Sequence, residues 1–423
     1  MNVFDEFAWR GLHFDSTEGV SAVLAADPVT VYSGFDPTAS SLHVGNLVPL
    51  MSLARMQRFG HHVIAIAGGG TGMIGDPSGK SAERNLLTRE QVDANVAGVK
   101  TQLSHMLDFD STSNPARLVN NADWLGRISL MDFLRDVGKH FSVNVMLARE
   151  SVKRRIESEE GISYTEFTYM LFQAYDFLVL YDEYGCRMQI GGSDQWGNIL
   201  SGVDLIRRTR NVQAFGLVLP LLTTASGEKF GKTEEGAVWL DARRTSPYKF
   251  YQYWLNAEDA DVDKLLKTFT WLGREEIEGL AEAVRDRPEK REGQRKLAQE
   301  VTTMIHGPTE CARAERASRI LFGEEISDLS PQDVTDIFND VPSSSLESGV
   351  LADGMPVIDL AKGAGVVPSK GEGRRLIESG GFYINNRRVG DIKYVVTSQD
   401  VVADGFIVLR KGRNKYHLVK LEA

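Results

Sequence analysis

Short apolar stretches alternate with longer segments of helical spacing along the first half of the chain. The short stretches, which end in glycine or polar residues, lie at 29–32, 63–67, 117–119, 187–190 and 217–222. Apolar residues recur at helical spacing over 47–59, 88–107, 129–158, 164–181 and 194–210. This alternation predicts an α/β fold with a doubly wound parallel sheet, whose ligands bind beyond the carboxyl ends of the strands.

The pattern changes after residue 222. Ser246 and Pro247 suit the cap and the first position of a helix, and helical spacing then persists to about residue 322. The segment 341–354, rich in serine and glycine, predicts a linker, and the remainder combines a helix with short strands. We therefore expect an α/β domain, an α-helical domain, a linker and a small α+β domain, at 1–222, 223–325, 326–354 and 355–423.

Charge is distributed unevenly over the 423 residues. The net charge is −10, yet the segment 355–423 holds 12 Lys and Arg against 7 Asp and Glu, leaving 36 against 51 for the rest. A basic end on an acidic body suggests an anionic partner docking there, although five extra charges also fit ordinary surface variation. The two cysteines lie far apart, no apolar run matches a bilayer, and the first residues resemble neither a secretory signal nor a transit peptide. These features predict a reduced, cytoplasmic protein that does not contact a membrane.

The stretch 29–46 carries the strongest candidate chemistry. An apolar strand breaks at Gly34 into a polar loop, and a helix is expected to begin near Leu42 with His43, Gly45 and Asn46 in its first turn. A helix N-terminus presents backbone N–H groups and a positive dipole end to an anion. Imidazole and carboxamide donors at that point favour a phosphate whose charge grows during a reaction.

The segment GGGTGMIGDPSGKS tests a second phosphate-binding hypothesis. A Walker A motif needs glycine five positions before its final glycine, Gly79, and that position is Ile74. The spacing excludes a P-loop ATPase. Lys80 and Arg84 either hold phosphate by another geometry or belong to a solvated loop.

Two further groups of polar residues stand out. On the helix predicted at 164–181, Tyr169, Gln173 and Asp176 are spaced by four and three and so share one face. Buried polar groups need partners, so this face is hard to explain as core alone. Lys229 and Lys232 lie among glycines, in either a solvated turn or a loop that neutralises a polyphosphate.

Two separated motifs resemble one enzyme family. HVGN at 43–46 resembles the HIGH signature of class I aminoacyl-tRNA synthetases, and KFGKT at 229–233 resembles their KMSKS signature. The longer stretch YSGFDPTASSLHVGNL resembles the bacterial tyrosyl-tRNA synthetases. The C-terminal segment resembles the RNA-binding domain that ends those enzymes and is shared with a ribosomal small-subunit protein. The resemblance implies a Rossmann-like catalytic domain, an α-helical anticodon-side domain and a C-terminal RNA-binding domain.

The resemblance also implies a reaction and the residues that support it. The family joins L-tyrosine to ATP, releases pyrophosphate and passes tyrosine to the 3′ end of tRNA(Tyr), with the substrate carboxylate as nucleophile. Motif matches assign the catalytic phosphate contacts to Thr38, His43, Lys80, Arg84, Lys229, Lys232 and Thr233. They assign ATP binding to Gly34, Asp36, His43, Gly45, Asn46, Gly192, Asp194 and Lys232. They assign the tyrosine hydroxyl to Tyr32 and Asp176, the ammonium to Asp76, Tyr169 and Gln173, and the carboxylate to Gln195.

Partners follow from the same resemblance. A homodimer is expected, with Mg²⁺ carried by the ATP phosphates rather than by a dedicated protein metal site. The basic residues expected to contact tRNA are Arg149, Lys153, Arg207, Arg208, Arg374, Arg375, Lys411 and Arg413.

Two other interpretations stay open from the sequence. The tryptophan enzymes share the fold and both signatures, although Tyr32 and Asp176 favour a phenol over an indole. A non-catalytic RNA-binding protein built on the same scaffold predicts eroded phosphate residues, whereas His43 and the two lysines are present. The chain also departs from the family pattern, with Asn46 for the second histidine of HIGH and Gly231 for the first serine of KMSKS.

Overall fold

The computed structural model describes residues 2–76, 87–157, 161–225, 227, 230–233, 236–326, 329–338, 341–413 and 415–422. The chain forms two compact units. The first comprises Met1–Ser246 and Tyr253–Ile305, and the second comprises Pro247–Gln252 and His306–Ala423. The α-helical segment expected as a separate domain at 223–325 is therefore divided between the two units.

The first unit is built around a six-stranded sheet. Its strands lie in the spatial order β1-β6-β5-β2-β3-β4, and only β1 runs antiparallel to its neighbour. Their bounds are β1 Asp15–Ser16, β2 Thr30–Phe35, β3 His62–Ala67, β4 Arg117–Asn120, β5 Met188–Gly192 and β6 Phe215–Leu219. The expected doubly wound parallel sheet is confirmed. A two-stranded hairpin follows, formed by β7 Lys232–Thr233 and β8 Gly236–Ala237.

The strand order reverses between β2 and β5. From β2 the chain proceeds to β3 and β4 on one side, whereas β5 and β6 are added on the other side. Open α/β sheets bind their ligands in the crevice outside such a switch point. The predicted site residues after β2 and after β5 consequently face one crevice.

The helices up to residue 321 include those that pack on the strands of this sheet. They are α1 Val3–Trp9, α2 Val20–Ala26, α3 Leu47–Arg58, α4 Arg89–Leu103, α5 Ala122–Leu125, α6 Leu130–Asp132, α7 Val143–Leu147, α8 Glu150–Ile156, α9 Tyr164–Tyr184, α10 Trp196–Arg210, α11 Pro247–Leu255, α12 Asp259–Phe269, α13 Arg274–Asp286 and α14 Glu292–Leu321. Helices α2, α3, α4 and α10 pack on the strands of this sheet. Helix α9 packs one apolar side into the core with Tyr32 and Ile64 of the sheet. α11 and α14 contribute residues to both units, and α14 is interrupted at Gly307 by a positive φ of 84°.

Two sequence predictions about helices were wrong in detail. The helix expected from Leu42 begins at Leu47, after a 3₁₀ turn at Val44–Asn46, and His43 precedes that turn in extended conformation. The single helical stretch expected over 129–158 is broken into α6, α7 and α8 with short π and 3₁₀ turns between them. Exposed apolar residues in this stretch, rather than a continuous buried stripe, accompany the breaks.

The second unit contains a five-stranded sheet with helices beside it. The helices are α15 Pro331–Ile337, α16 Val357–Gly363 and α17 Lys370–Glu378, and the strands are β9 Ser343–Glu347, β10 Met355–Pro356, β11 Phe382–Ile384, β12 Arg387–Arg388, β13 Val395–Val396, β14 Phe406–Lys411 and β15 Lys415–Glu422. The sheet order is β12-β11-β14-β15-β9, and β10 pairs separately with β13. The expected small α+β domain is confirmed.

The predicted linker at 326–354 was wrong. Within the described residues it contains helix α15 and strand β9, and β9 pairs in parallel with β15 along its whole length. Ser343 and Ser345 bear small side chains at a sheet edge, where the serine-rich composition suggested a flexible segment. Val334 and Phe338 are buried in a core shared with Tyr416 and Leu418. No helix in the described part of the chain is long and apolar enough to cross a membrane.

Candidate active site

The candidate site begins at the switch point of the sheet. Tyr32 on β2 and Gln189 on β5 are register partners on neighbouring parallel strands, so their side chains leave the same face of the sheet. Both are buried, and the Tyr32 hydroxyl and the Gln189 Oε1 atom make no hydrogen bond with the described residues. Buried polar atoms without partners are uncommon and mark a place where a ligand can supply them.

Asp176 lies beside Tyr32 at the floor of the crevice. Its carboxylate is 4% exposed and accepts hydrogen bonds from Trp124 Nε1 at 2.7 Å and from Asn121 Nδ2 at 2.9 Å. Burial raises its pKa to about 7, while these two donors lower it and the charge of Asp36 raises it further. The carboxylate is therefore poised between its charged and neutral forms near neutral pH.

The Tyr32 side chain is held against the same helix. Its ring packs edge-on against Phe177 with centroids 5.1 Å apart. Burial, followed by the charge of Asp176, raises the pKa of the Tyr32 phenol well above its usual range. Tyr32 thus stays protonated and offers a hydroxyl, next to a carboxylate, to whatever fills the crevice.

A second polar network lies above the first. Gln195 Nε2 donates to Asp76 Oδ2 at 2.7 Å, and Asn198 Nδ2 donates to Gln173 Oε1 at 3.0 Å and to Gln195 Oε1 at 3.3 Å. Asp76 is 7% exposed. The arrangement gathers one carboxylate and two amide oxygens, which are the partners an ammonium group needs.

Tyr169 belongs to the first network. Burial, and then the charges of Asp36, Asp76 and Asp176, raise the pKa of its phenol, and it forms a hydrogen bond with Thr71. Thr71 Oγ1 accepts from Asn121 Nδ2 at 2.9 Å. One connected set of hydrogen bonds therefore runs from Trp124 through Asp176 and Asn121 to Tyr169.

The loop after β2 is held by helix α4. Asn95 Nδ2 donates to the Pro37 carbonyl at 2.9 Å, and Gln102 accepts from the Leu42 N–H at 2.7 Å. Thr38 is exposed in this loop, and Gly34 is exposed at the strand end with open space where a side chain would lie. The half-buried Gly192 and exposed Asp194 occupy the equivalent place after β5. Gly34, Gly192 and Asp194, predicted to bind ATP, and Thr38, predicted as a catalytic phosphate contact, therefore all follow the ends of the neighbouring strands β2 and β5.

His43 is fixed by its own turn. Its Nδ1 atom accepts from the Gly45 N–H at 3.0 Å, and its backbone N–H donates to Asn46 Oδ1 at 3.0 Å. With Nδ1 accepting, a neutral imidazole carries its proton on Nε2. Trp239 packs edge-on against the ring with centroids 6.0 Å apart. His43 therefore presents one side-chain donor in a set direction.

The backbone donors of this turn are not available to an anion. The N–H groups of Val44, Gly45 and Asn46 donate to Val238 O, His43 Nδ1 and His43 O. The expectation that free helix N–H groups would bind phosphate was wrong. Any phosphate contact from this turn must come from the His43 and Asn46 side chains.

The second signature lies directly on the first. At Gly231, with a φ of 88°, an added Cβ would lie 2.8 Å from Val44 Cγ2 and 3.2 Å from the Gly45 nitrogen. At Gly45 an added Cβ would lie 2.8 Å from the His43 ring. The glycine that replaces the first serine of KMSKS is thus required by close contact between the two signatures.

Parts of the predicted phosphate site lie outside the described residues. These are Lys80, Arg84 and Lys229, together with the side chains of Lys232 and Thr233, whose backbone forms β7. Among the described residues, no group of three His, Cys, Asp or Glu side chains is arranged to hold a metal ion.

Comparison with protein families matches residues 24–323 to the tRNA synthetases class I (W and Y) and residues 333–419 to the Tyrosine--tRNA ligase SYY-like C-terminal domain. The chain is 56% identical over 420 residues to the Tyrosine--tRNA ligase of Roseiflexus castenholzii, with 99% of each protein covered. It is 53% identical over 424 residues to that of Opitutus terrae, with 100% of each covered. The chain belongs to the bacterial tyrosine–tRNA ligase family.

A solved structure agrees with this family assignment. The crystal structure of a C-terminally truncated Aspergillus nidulans mitochondrial tyrosyl-tRNA synthetase superposes with a TM-score of 0.70 at 32% identity, covering 76% of this chain and 94% of that one. As a member of the tyrosine–tRNA ligase family, the chain is an aminoacyl-tRNA ligase with ATP as a substrate. The predicted enzyme class is confirmed, and the non-catalytic interpretation is not supported.

Four residues of this tyrosine–tRNA ligase site were missed by sequence reasoning. Asn121 and Trp124 hold Asp176, Thr71 bonds to Asn121 and Tyr169, and Asn198 links Gln173 to Gln195. The polar tip of the strand at 117–121 was the available signal for Asn121. Nothing in the local pattern distinguishes Trp124 from a core aromatic residue.

The basic residues expected to contact tRNA in this family have varied surroundings. Lys153 is 67% exposed, and Arg207 and Arg208 are exposed with ion pairs to Asp204 at 2.7 and 2.9 Å. Arg149 is half-buried, and its Nη2 lies 3.5 Å from Ser201 Oγ. Arg155, two residues after Lys153, is by contrast buried and pairs with Glu166 at 2.9 Å.

The four residues of the second unit that are predicted to contact tRNA are exposed or half-buried. Arg374 and Arg375 are exposed on α17, and Arg413 is exposed after β14. Lys411 pairs with Glu372 at 2.8 Å. Three guanidinium groups on one small unit agree with the basic character read from the sequence.

Proposed function

We propose that this chain activates L-tyrosine with ATP, giving tyrosyl adenylate and pyrophosphate, and then transfers tyrosine to tRNA(Tyr). The observation that carries the proposal is the buried pair of Tyr32 and Asp176, with the Tyr32 hydroxyl unpaired. A substrate phenol bound there accepts from Tyr32 and donates to Asp176. It thereby satisfies a buried group that otherwise costs about 1–3 kcal/mol.

The second network orients the other end of the amino acid. Asp76 supplies the charge for the α-ammonium group, and Tyr169 and Gln173 supply further oxygen atoms. With phenol and ammonium both held, the tyrosine carboxylate is directed toward the crevice where the ATP α-phosphate binds. Holding two reactants in attacking geometry supplies several kcal/mol of the barrier without a protein nucleophile.

The phosphate end works by charge stabilisation. The Nε2–H donor of His43 contacts the γ-phosphate as pyrophosphate leaves, together with Thr38 and the side chains of Lys80, Arg84, Lys229, Lys232 and Thr233. Asn46 binds the nucleoside part of ATP. Mg²⁺ bound to the phosphates neutralises part of their charge. Removing one such donor costs about 10²–10³ in rate.

Pyrophosphate exchange tests the reaction directly. Purified chain, ATP and labelled pyrophosphate are incubated with tyrosine, tryptophan or phenylalanine in turn. We expect exchange with tyrosine and rejection of phenylalanine by about 10⁴–10⁵, a range that is known for this enzyme class and is not obtained from this structure. Equal exchange with tryptophan, or none with tyrosine, would overturn the proposal.

We further propose a homodimer formed through the segment 130–164. Large apolar side chains in this segment are highly exposed, including Leu130 at 71%, Met131 at 74%, Val143 at 57% and Tyr164 at 75%. Contiguous exposed apolar surface marks a protein interface. Light scattering should report a dimer for the parent and a monomer for Met131→Asp with Tyr164→Asp, whereas Phe14→Asp, at an exposed aromatic elsewhere, should stay dimeric.

tRNA docking is proposed for the basic residues of both units, in a cytoplasmic setting. Exposed guanidinium groups contact phosphates. Arg374 and Arg375 are exposed and form no ion pair with the described residues. Arg374→Ala with Arg375→Ala should weaken tRNA charging at least tenfold and leave pyrophosphate exchange unchanged. Deletion of the chain after Gly349 is a poor test because it would remove β15 from beside β9. Equal loss of both activities in the double variant would reject this division of labour.

A further inference from the structure

Helix α12 ends on two buried arginines from distant parts of the chain. Arg55 of α3 is 1% exposed, and its Nη2 atom donates to the carbonyls of Lys267, Thr268 and Thr270 at 3.2, 2.9 and 2.9 Å. Arg10, immediately after α1, donates to the Lys267, Thr270 and Leu272 carbonyls at 2.8, 3.3 and 2.7 Å. These carbonyls belong to a helix C-terminus, where the last acceptors lack intrahelical partners and the dipole favours cations.

Burial of the Arg55 guanidinium has an unusually high cost in free energy. Its Nε and Nη1 atoms are buried without hydrogen-bond partners among the described residues. Burial, and then the charge of Arg10, lower the pKa of Arg55 to about 9, so the group stays charged at neutral pH. A buried charge with unpaired donors is expensive. Retaining it here calls for a role beyond filling the core.

Helix α12 is also attached to the loop that carries the second signature. Asp261 Oδ2 accepts from the Ala225 N–H at 2.9 Å, and Lys264 Nζ donates to the Thr223 carbonyl at 2.9 Å. Phe230, inside KFGKT, stacks on Phe269 at the end of α12 with centroids 5.3 Å apart. Two hydrogen bonds and one ring contact therefore connect the described residues of this loop to α12.

These contacts close a triangle. One side is α3, with HVGN immediately before its first turn and Arg55 in its last turn. The second side is α12, fixed to α3 by Arg55. The third side is formed by the described residues 223–225, 227, 230 and 231, and an added Cβ at Gly231 would lie 2.8 Å from Val44 Cγ2 and 3.2 Å from the Gly45 nitrogen.

We propose that Arg55 is a positioning residue for the phosphate-binding loop: by holding the end of α12 on the helix that follows HVGN, it sets the placement of KFGKT over Gly45. The proposal rests on the function proposed above, because KFGKT matters here as a phosphate-binding loop. A misplacement of about 1 Å costs about 10²-fold in rate. A side chain that fixes α12 on α3 therefore affects the rate of the reaction.

The test compares three variants in the full chain. Arg55→Met removes the donors at similar length, and Arg55→Lys keeps one nitrogen, which is the number that Arg55 uses for these carbonyls. Arg58→Met is the matched control: Arg58 lies on the same helix and stacks on Trp271 at 3.6 Å, but within the described residues it donates to none of the carbonyls. Each variant is assayed for pyrophosphate exchange and for its urea midpoint.

We expect Arg55→Met to lower kcat about 10- to 100-fold with the KM for tyrosine within about twofold. Arg55→Lys should recover most of that loss, and Arg58→Met should match the parent. In a Lys232→Ala background, Arg55→Met should add little further loss, because the loop no longer contributes. A lower urea midpoint with unchanged kcat would overturn the proposal and leave Arg55 a structural residue.

A second variant and a substrate-free measurement guard against ambiguity. Lys264→Met loosens the loop side of α12 without disturbing the buried arginines, and it should give the same selective loss of kcat, several-fold in size. Hydrogen exchange in peptides covering 230–239 should quicken in Arg55→Met, whereas peptides covering 188–195 should not change. Unchanged exchange at 230–239 would overturn the placement role even if the chain failed to use tyrosine, so the two proposals fail separately.

Discussion

The two ends of the crevice are built in different ways. The tyrosine end is a set of buried side chains that bond to one another, from Trp124 through Asp176 to Asn121. At the phosphate end, the described part consists of a turn whose backbone donors are already used and a glycine of the second signature packed on it. One end is specified by hydrogen bonds between side chains, and the other by close backbone packing between the two signature segments.

This difference predicts which kinetic property changes when each end is altered. A change in the tyrosine network should alter substrate affinity and selectivity, because the network defines which groups are unpaired without substrate. A change in the phosphate assembly should alter kcat alone, because its donors act on charge that develops during reaction. A variant that changes both the substrate affinity and kcat would show that the two ends are coupled.

The largest effect is expected from Asp176→Asn. The change keeps the shape but removes the charge that accepts the substrate hydroxyl. Exchange with tyrosine should lose at least about 10³-fold in kcat/KM, whereas phenylalanine should change by less than about tenfold. Asp182→Asn, on the exposed side of the same helix and paired with Arg210, is the control and should behave as the parent. Parallel losses for both amino acids would indicate a collapsed pocket.

The next effect concerns Gly45→Ala and His43→Ala. The added Cβ would meet the His43 ring at 2.8 Å and displace it, so both variants remove the same donor. Each should lower kcat about 10²–10³-fold with little change in the KM for tyrosine. The double variant should be no worse than either single variant. Additive losses would show that Gly45 acts on something other than His43.

A smaller effect is expected from Trp124→Phe. The ring is kept while the Nε1–H donor to Asp176 is lost, and hydrogen bonds to charged groups contribute about 1.5–3 kcal/mol. The KM for tyrosine should rise about tenfold or more, and the pKa of Asp176 should move further above 7 because this donor lowers it. Trp239→Phe, an aromatic change beside His43, is the control and should leave the KM for tyrosine unchanged. If tyrosine binding weakens over the same acidic pH range in Trp124→Phe as in the parent, the hydrogen bond assigned from Trp124 to Asp176 is contradicted.

The same contrast explains which features could be predicted from sequence. Strands β2, β3 and β5 follow apolar runs closely, and the face shared by Tyr169, Gln173 and Asp176 follows helical spacing directly. The roles of Asn121 and Trp124 were not predicted, because they arise from contact with a residue more than fifty positions away. Local patterns do not encode such pairings.

Errors arose where composition was ambiguous. The serine-rich segment at 343–347 forms an edge strand because its backbone pairs with β15, and backbone pairing makes little demand on side-chain type. The helix start near Leu42 was misplaced because His43 caps a 3₁₀ turn through an imidazole nitrogen, an uncommon capping group. The burial of Arg155 is likewise not indicated by local spacing, because its partner, Glu166, lies on another helix.

The most direct check on the tyrosine end is pH dependence. The pKa of Asp176 is raised by burial to about 7, so the carboxylate loses its charge as the pH falls through 7. Tyrosine affinity should therefore weaken by up to about tenfold per pH unit below that point. Equilibrium dialysis between pH 5.5 and 8.5 measures it, with Asp176→Asn as the control expected to be flat over this range.

The stability of the free chain should move in the opposite direction. Because the folded pKa of Asp176 lies above its unfolded value near 3.9, ionisation favours the unfolded state. The Asp176 contribution to the free energy of unfolding should thus be greatest below about pH 4 and decline as the pH rises to about 7. The difference between parent and Asp176→Asn in urea unfolding isolates it. A parent that gains stability relative to the variant over this interval would mean that Trp124 and Asn121 outweigh burial, and that the pocket favours the charged carboxylate before tyrosine arrives.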